Sequence, residues 1–348
     1  MSIKEAGRQI EICNACRYCE GLCSVFPAIN RNRVFAEGEI IQLANLCHNC
    51  RGCYYACQYT EPHEFALNLP QILAEVRQDS WQNYAWPGSF AKAFQRSGVA
   101  IGLMVMVCFT LLIWFIKSIE PQGGEGFYAV LSHNAMVAIF IPAFMLPLVS
   151  VVISVRKYWR ATGGEKLTFS HCLAAFKSIA NMKNLAGGHG DGCNFEDEDR
   201  FSNARRWFHQ ATMVGFLLCF AATSVATIMH YGFDWPAPYP LFSMPKLLGL
   251  TGGLMLSAGT LGLAVLKLKA DKELSDKTVW GGEMGFVLLL FLVSTTGLVL
   301  YALAESDWLP ELLAIHLGSV LAFFLLTPYS KMMHGFYRLA ALLRDAQS

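Results

Sequence analysis

The sequence predicts an all-α fold in two parts: a small helical head over about residues 1–92 and a bundle of six membrane-crossing helices within 93–348. Three observations predict it. Eight of the twelve cysteines crowd into residues 13–57. The segments between and after them repeat apolar residues at helical spacing. From residue 97 onward, six long stretches contain no Asp, Glu, Lys or Arg.

The head comes first. Met1 to Ile12 is polar and does not read as a signal peptide. Glu37 to Leu46 reads as a helix because Ile40, Ile41, Leu43 and Leu46 fall on one face, and Ala66 to Gln78 reads as another through Leu67, Leu69, Ile72, Leu73 and Val76. Around them lie two cysteine runs, Cys13, Cys16, Cys19, Cys23 and Cys47, Cys50, Cys53, Cys57, each spaced C-x2-C-x2-C-x3-C. In two-cluster ferredoxins that spacing gives three thiolates to one 4Fe-4S cluster and sends the fourth to its neighbour. The crossed arrangement assigns Cys13, Cys16, Cys19 and Cys57 to one cluster and Cys47, Cys50, Cys53 and Cys23 to the other. A zinc pair or a disulfide framework is the competing reading; zinc takes ligands from separated pairs, and no secretory signal supports disulfides. The head is thus expected to be an α-helical ferredoxin-like two-cluster domain. Ser24 and Gln58 stand where a proline often follows the fourth cysteine, a departure that removes no ligand.

The membrane part follows. Ser97 to Ile116, Asn134 to Val155, Trp207 to Phe233, Leu247 to Leu266, Met284 to Ala304 and Leu312 to Ser330 each have roughly the 17 to 25 residues that a membrane-spanning helix needs. Pro142 and Pro147 are expected to kink the second span and Pro328 the sixth. Lys92 and Arg96 precede the first span. Arg156, Lys157, Arg160, Lys166, Arg205 and Arg206 lie between the second and third, and Lys267, Lys269, Lys272 and Lys277 between the fourth and fifth. Lys331, Arg338 and Arg344 follow the sixth. The other connections are acidic: Glu120 and Glu125, then Asp234, then Glu305, Asp307 and Glu311. The positive-inside rule places both termini and the cluster head in the cytoplasm, so the chain is expected in the inner membrane as a multi-pass protein. In that reducing compartment cysteines serve as metal ligands more readily than as disulfides. A net charge of +1, without a basic stripe, excludes nucleic acid as a partner.

Histidines supply the third signal. His209 and His230 lie near opposite ends of the third span, and His316 and His334 toward opposite ends of the sixth. At 1.5 Å per residue the pairs are roughly 31 and 27 Å apart, about the thickness of the hydrocarbon core. On continuous helices His316 and His334 would share a face, and His209 and His230 would stand about 60° apart. Two facing helices of this kind can hold one or two b-type haems, with His209 and His334 as the inner axial pair and His230 and His316 as the outer. His133, at the outer end of the second span, competes for the outer site. The alternative is that these imidazoles are interfacial side chains or quinone contacts; four ionisable residues at matching depths within spans favour function.

The stretches CNACRYCEGLCSVFPA from Cys13, NLCHNCRGCYYACQY from Asn45 and PHEFALNLP resemble the tricarballylate and citrate utilization protein B family, as do GDGCNFEDE, RRWFHQ and TPYSKMMHGFYR further on. The resemblance covers nearly the whole chain. It implies a membrane partner that reoxidises the flavin of a separate FAD-dependent tricarballylate dehydrogenase, which yields cis-aconitate, and passes electrons through iron-sulfur clusters and haem to the quinone pool. The six-span part resembles, more distantly, the haem b subunits of membrane nitrate reductase.

The chain has no substrate-dehydrogenase site of its own: Gly187 to Gly192 opens no strand and lacks G-x-G-x-x-G order. That segment lies in a long loop, 156–206, which reads either as a docking element for the head or the dehydrogenase or as a plain flexible linker; His189 and Cys193 are a weak metal pair. Cys108, Cys172 and Cys219 read as small apolar residues. A transporter would need charged groups at mid-span. A redox sensor or a membrane anchor without quinone reductase activity remains as the alternative function.

Overall fold

The computed structural model describes residues 2–119, 126–180, 185, 192–193, 201–270, 274 and 279–347. Lys272, Lys277, Glu120, Glu125, His189 and most of the glycine-rich segment lie outside them. The described residues form thirteen α-helices and no strand.

Five helices build the head: α1 (Ser2–Cys16), α2 (Val25–Arg31), α3 (Glu37–Leu46), α4 (Gly52–Tyr55) and α5 (Leu69–Tyr84). The helix α3 has the bounds that its apolar spacing predicts. The start of α5 falls later than Ala66, which adopts φ 44°, because Asn68 accepts a hydrogen bond from the Gln71 N–H and Pro70 occupies the first turn.

The six apolar stretches appear as α6 (Ala91–Ile119), α7 (His133–Ala161), α9 (Ala204–Gly232), α10 (Met244–Lys269), α11 (Trp280–Ala302) and α12 (Leu309–Leu326), each within a helix long and apolar enough to cross a membrane. The sequence reading missed two further helices, α8 (Phe169–Ala180) in the long loop and α13 (Met333–Asp345) after the last span. The sixth span also ends earlier than expected. A 3-10 turn at Thr327–Tyr329 follows α12, where Pro328 cannot supply a helical N–H. His334 therefore lies on α13 and His316 on α12, so the shared-face argument for these two residues fails.

The head is not a detached unit. Its core of Ile10, Ile29, Leu43, Leu46 and Leu73 is completed by Tyr158 at the end of α7 and by Tyr337 and Ala341 of α13. The Tyr337 ring stacks on Trp81, with centroids 5.7 Å apart, and lies 5.5 Å from Tyr158. Tyr158 donates to the Gln42 side chain at 2.6 Å, and Gln42 donates to the Ala341 carbonyl at 2.7 Å. At the same end of the bundle, Glu283 of α11 pairs with both Lys267 of α10 and Lys331 before α13.

Small residues let α9 and α10 approach closely. A Cβ at Gly259 would stand 2.6 Å from the Thr212 nitrogen, and one at Gly252 would stand 2.8 Å from that of Cys219. In lipid, where apolar burial drives helix pairing little, such contact supplies the attraction. Gly259→Leu is expected to cost about 1–3 kcal/mol by overpacking, seen as a lower melting temperature in detergent. Gly249→Ala, where the new Cβ meets only Ala222 at 3.6 Å, is expected to leave it unchanged.

Candidate metal centres

The C-terminal turn of α1 delivers Cys13 and Cys16, and Cys47 caps α3. In both runs the residue after the second cysteine is left-handed, Arg17 at φ 57° and Arg51 at φ 65°. The two motifs thus share a backbone turn that only strain-tolerant surroundings hold in place. Their thiols face two cavities. One of about 190 Å³ is lined by Cys13, Cys16, Cys19 and Cys57, together with Cys53. A tighter one is lined by Cys23, Cys47, Cys50 and Cys53. Each cavity thus takes the fourth cysteine of the other run, and Cys53 borders both.

Burial pushes the Cys13 thiol up to about 12, with Cys19, Cys57 and Cys16 adding to the rise. Burial likewise raises Cys19 to about 11, with Cys57 next, and Cys50 to about 11, with Cys193 next. Cys23 and Cys53 also move up, again chiefly through burial. Thiols in such a setting stay protonated unless a metal's charge draws the proton off, and they are not activated nucleophiles. Several of the sulfurs accept backbone bonds, among them Cys47 from the Asn49 N–H and Cys57 from the Tyr59 N–H, each at 3.4 Å. Among the described residues no three His, Cys, Asp or Glu side chains converge on one ion position. A mononuclear zinc site requires that convergence. A sulfur-only donor set spread around a cavity instead fits a polynuclear iron-sulfur cluster.

Cys193 is a ninth cysteine at this place. It is 1% exposed and packs with Leu185, Cys50 and Met213, and its thiol bonds the Leu185 carbonyl. The described part of the long loop therefore lies against the second cysteine run.

The histidines divide by bundle end. At the head end, His209 of α9 and His334 of α13 have ring centroids 5.8 Å apart with planes at 88°. Metal–imidazole bonds of about 2.0–2.1 Å place two rings that share a metal about 6 Å apart, centre to centre. His334 Nδ1 bonds the Lys331 carbonyl, the outer-shell contact that leaves Nε2 for a metal. Enclosure, with His209 and Lys331 nearby, holds His334 well below the usual imidazole range, in the neutral form that ligates. These residues fit a haem iron. At the far end His230 stacks on His133, with centroids 4.5 Å apart and planes at 22°. That face-to-face contact leaves no gap for a metal between ring edges. His133 also bonds the Tyr231 hydroxyl at 2.7 Å, and His316 Nδ1 lies 3.1 Å from the Thr296 hydroxyl. The structure thus seats His230 on its competitor His133 and gives His316 a different partner.

Three arginines near these groups escaped the sequence reading, which used Arg205 and Arg338 only as topology signals. Arg77 and Arg338 donate to the Cys47 carbonyl at 2.9 and 2.6 Å, and Arg205 donates to that of Asn49 at 2.9 Å. The signal was the four-residue spacing of Arg205 from His209 and of Arg338 from His334.

Sulfur-lined cavities in a helical head, joined through one core to six apolar helices, define a membrane protein with a ferredoxin-like domain. The family model for Citrate utilization protein B matches residues 93–348, and the one for its Fer4-like domain matches 6–85. The chain belongs to the citrate utilization protein B family. It is 44% identical to Citrate utilization protein B of Escherichia coli over 347 residues, 98% of this chain and 91% of that protein. No solved structure matches it.

Cys50→Ala is expected to lower iron and acid-labile sulfide in anaerobically purified protein by up to about half, one of two clusters. Cys193→Ala, outside both runs, is expected to keep both contents.

Proposed function

We propose that the chain is the membrane electron-transfer component for a cytoplasmic FAD-dependent tricarballylate (or citrate-related) dehydrogenase. On this reading it reoxidises the dehydrogenase's reduced flavin and passes electrons through two 4Fe-4S clusters and haem b to the quinone pool. The observation that carries the proposal is the order of donors: a cysteine set with one exposed member, a second set of half-buried members that shares Cys53 with the first cavity, and an imidazole pair at the edge of the span region. Cys16 is exposed and Tyr18 beside it is 75% exposed, so the first set, Cys13, Cys16, Cys19 and Cys57, faces a soluble partner. Cys47, Cys50, Cys53 and Cys23 would hold the second cluster beside α13, whose Arg338 bonds the Cys47 carbonyl. His209 and His334 are the residues that would hold the iron of one haem; the stacking of His230 on His133 supports no second haem there. Bound clusters and haem supply one-electron chemistry, which the side chains themselves lack.

The residues around these sites do the rest. Enclosure keeps His334 neutral, and Lys331 orients it through its carbonyl. Basic residues at the head end, Arg156, Lys157 and Arg160 among them, favour a cytoplasmic head, where the flavoprotein would meet it.

Purified protein is expected to contain about eight iron atoms in clusters and a dithionite-reducible b-type haem band. His334→Ala is expected to abolish that band while cluster iron stays unchanged. A wild-type protein with full cluster iron and no haem band would overturn the haem reading.

A further inference from the structure

Each helix of the inner histidine pair carries an arginine one turn from its histidine. Arg205 precedes His209 by four residues on α9, and Arg338 follows His334 by four on α13. Residues four apart lie on one helix face. Both arginines reach the same loop of the head: Arg205 Nη1 donates to the Asn49 carbonyl at 2.9 Å, and Arg338 donates to the carbonyls of Cys47 at 2.6 Å and Leu46 at 3.3 Å. The loop between those carbonyls carries Cys47 and leads directly into Cys50. His48 stands inside it, with Nε2 buried and unbonded.

The charge balance is one-sided. Arg77 and Arg338 bond carbonyls here, and Arg338 forms no ion pair among the described residues. Enclosed cations without counter-ions are costly unless an anion is bound beside them. A cluster held by four thiolates is such an anion. At the first set Arg17 donates to the Asn14 carbonyl at 3.1 Å, but from an exposed position, where water and salt screen its charge.

We infer that Arg205 and Arg338 are positioning residues that strap the second cluster's loop to the His209–His334 pair and raise that cluster's reduction potential above the first's. Reduction adds negative charge, and a nearby cation stabilises the reduced form, so electrons entering at the exposed set move toward the histidines. The inference rests on the function proposed above.

The test is an EPR-monitored redox titration of the full-length, cluster-loaded protein. In the wild type the second cluster is expected to titrate at the higher potential. Arg338→Gln and Arg205→Gln are each expected to lower its reduced-to-oxidised ratio at fixed potential about tenfold, which is 59 mV for a one-electron couple, while the first cluster does not move. Arg338→Lys, which keeps the charge, is expected to stay within about threefold of wild type, roughly half that shift. If the second cluster stays at its wild-type potential in both glutamine variants, or the first shifts equally, the inference is overturned. Should Arg338→Gln fail to assemble clusters, Arg205→Gln and Arg338→Lys decide by the same criteria. A wild type lacking clusters or haem would instead overturn the proposed function.

Discussion

Tyr337 sits where head and bundle become one body, and the arrangement of the metal-binding residues depends on it. Its ring is 1% exposed, between Trp81 of the head and Tyr158 of α7. An aromatic side chain of this size buries roughly 150–250 Å² and gains further from offset contact with its neighbours. A hinge at the end of α5 would let the cysteine loops drift from the histidines. The shared core removes that freedom, and the Gln42 bonds to Tyr158 and Ala341 fix the register of three elements at once. Electron transfer between fixed centres requires such rigidity, since no ligand-induced closure repairs a misplaced donor.

The same enclosure sets the chemistry of the sulfurs. Thiols raised by burial are inert toward substrates and reluctant to ionise, so the cavities have little use without metal. With metal bound, the proton cost is met by coordination, and assembly and folding become linked. Arg205 of α9 and Arg338 of α13 reach the second set from the bundle, and Arg77 reaches it from the head. On the proposed reading the core thus joins a cysteine set open at Cys16 to one whose loop is bonded by Arg77, Arg205 and Arg338.

Local features of the sequence were legible because they need no knowledge of packing. Cysteine spacing acts within a few residues, α3 follows from four apolar positions, and the absence of charge over twenty residues identifies a span. What failed was any inference that needed a helix to continue or to rotate in a known way. Pro328 ended α12 where the face-sharing argument for His316 and His334 required one straight helix. The helix α13 was overlooked because its stripe of Met333, Tyr337, Ala340 and Ala341 is short and mixed with Arg338 and Arg344, which had been read as topology signals alone. Cys193 was cued only as a weak metal partner of His189 in a loop that could dock on the head: its neighbour Cys50 lies far away in sequence, and only the fold brings them together.

The histidines show how depth differs from geometry. Two rings that share a metal must meet it edge-on, so matching depth is necessary, but the facing of the two helices decides. His209 and His334 match in depth and stand at the spacing of a metal-sharing pair, with planes at right angles, while His133 and His230 overlap face to face. The helix α9 is continuous from Ala204 to Gly232, which puts His230 roughly 31 Å from His209 along its axis. On the proposed reading, charge that reaches the inner pair is still at the head-side edge of the bundle, with no second metal-binding pair to carry it to the far end. A quinone acceptor would then meet the protein on the head side, and the protons that quinone reduction consumes would come from the same side as the electrons. The outer histidines would in that case serve as interfacial polar groups, bonded to Tyr231 and Thr296, and the bundle's thickness would act as insulation for the relay.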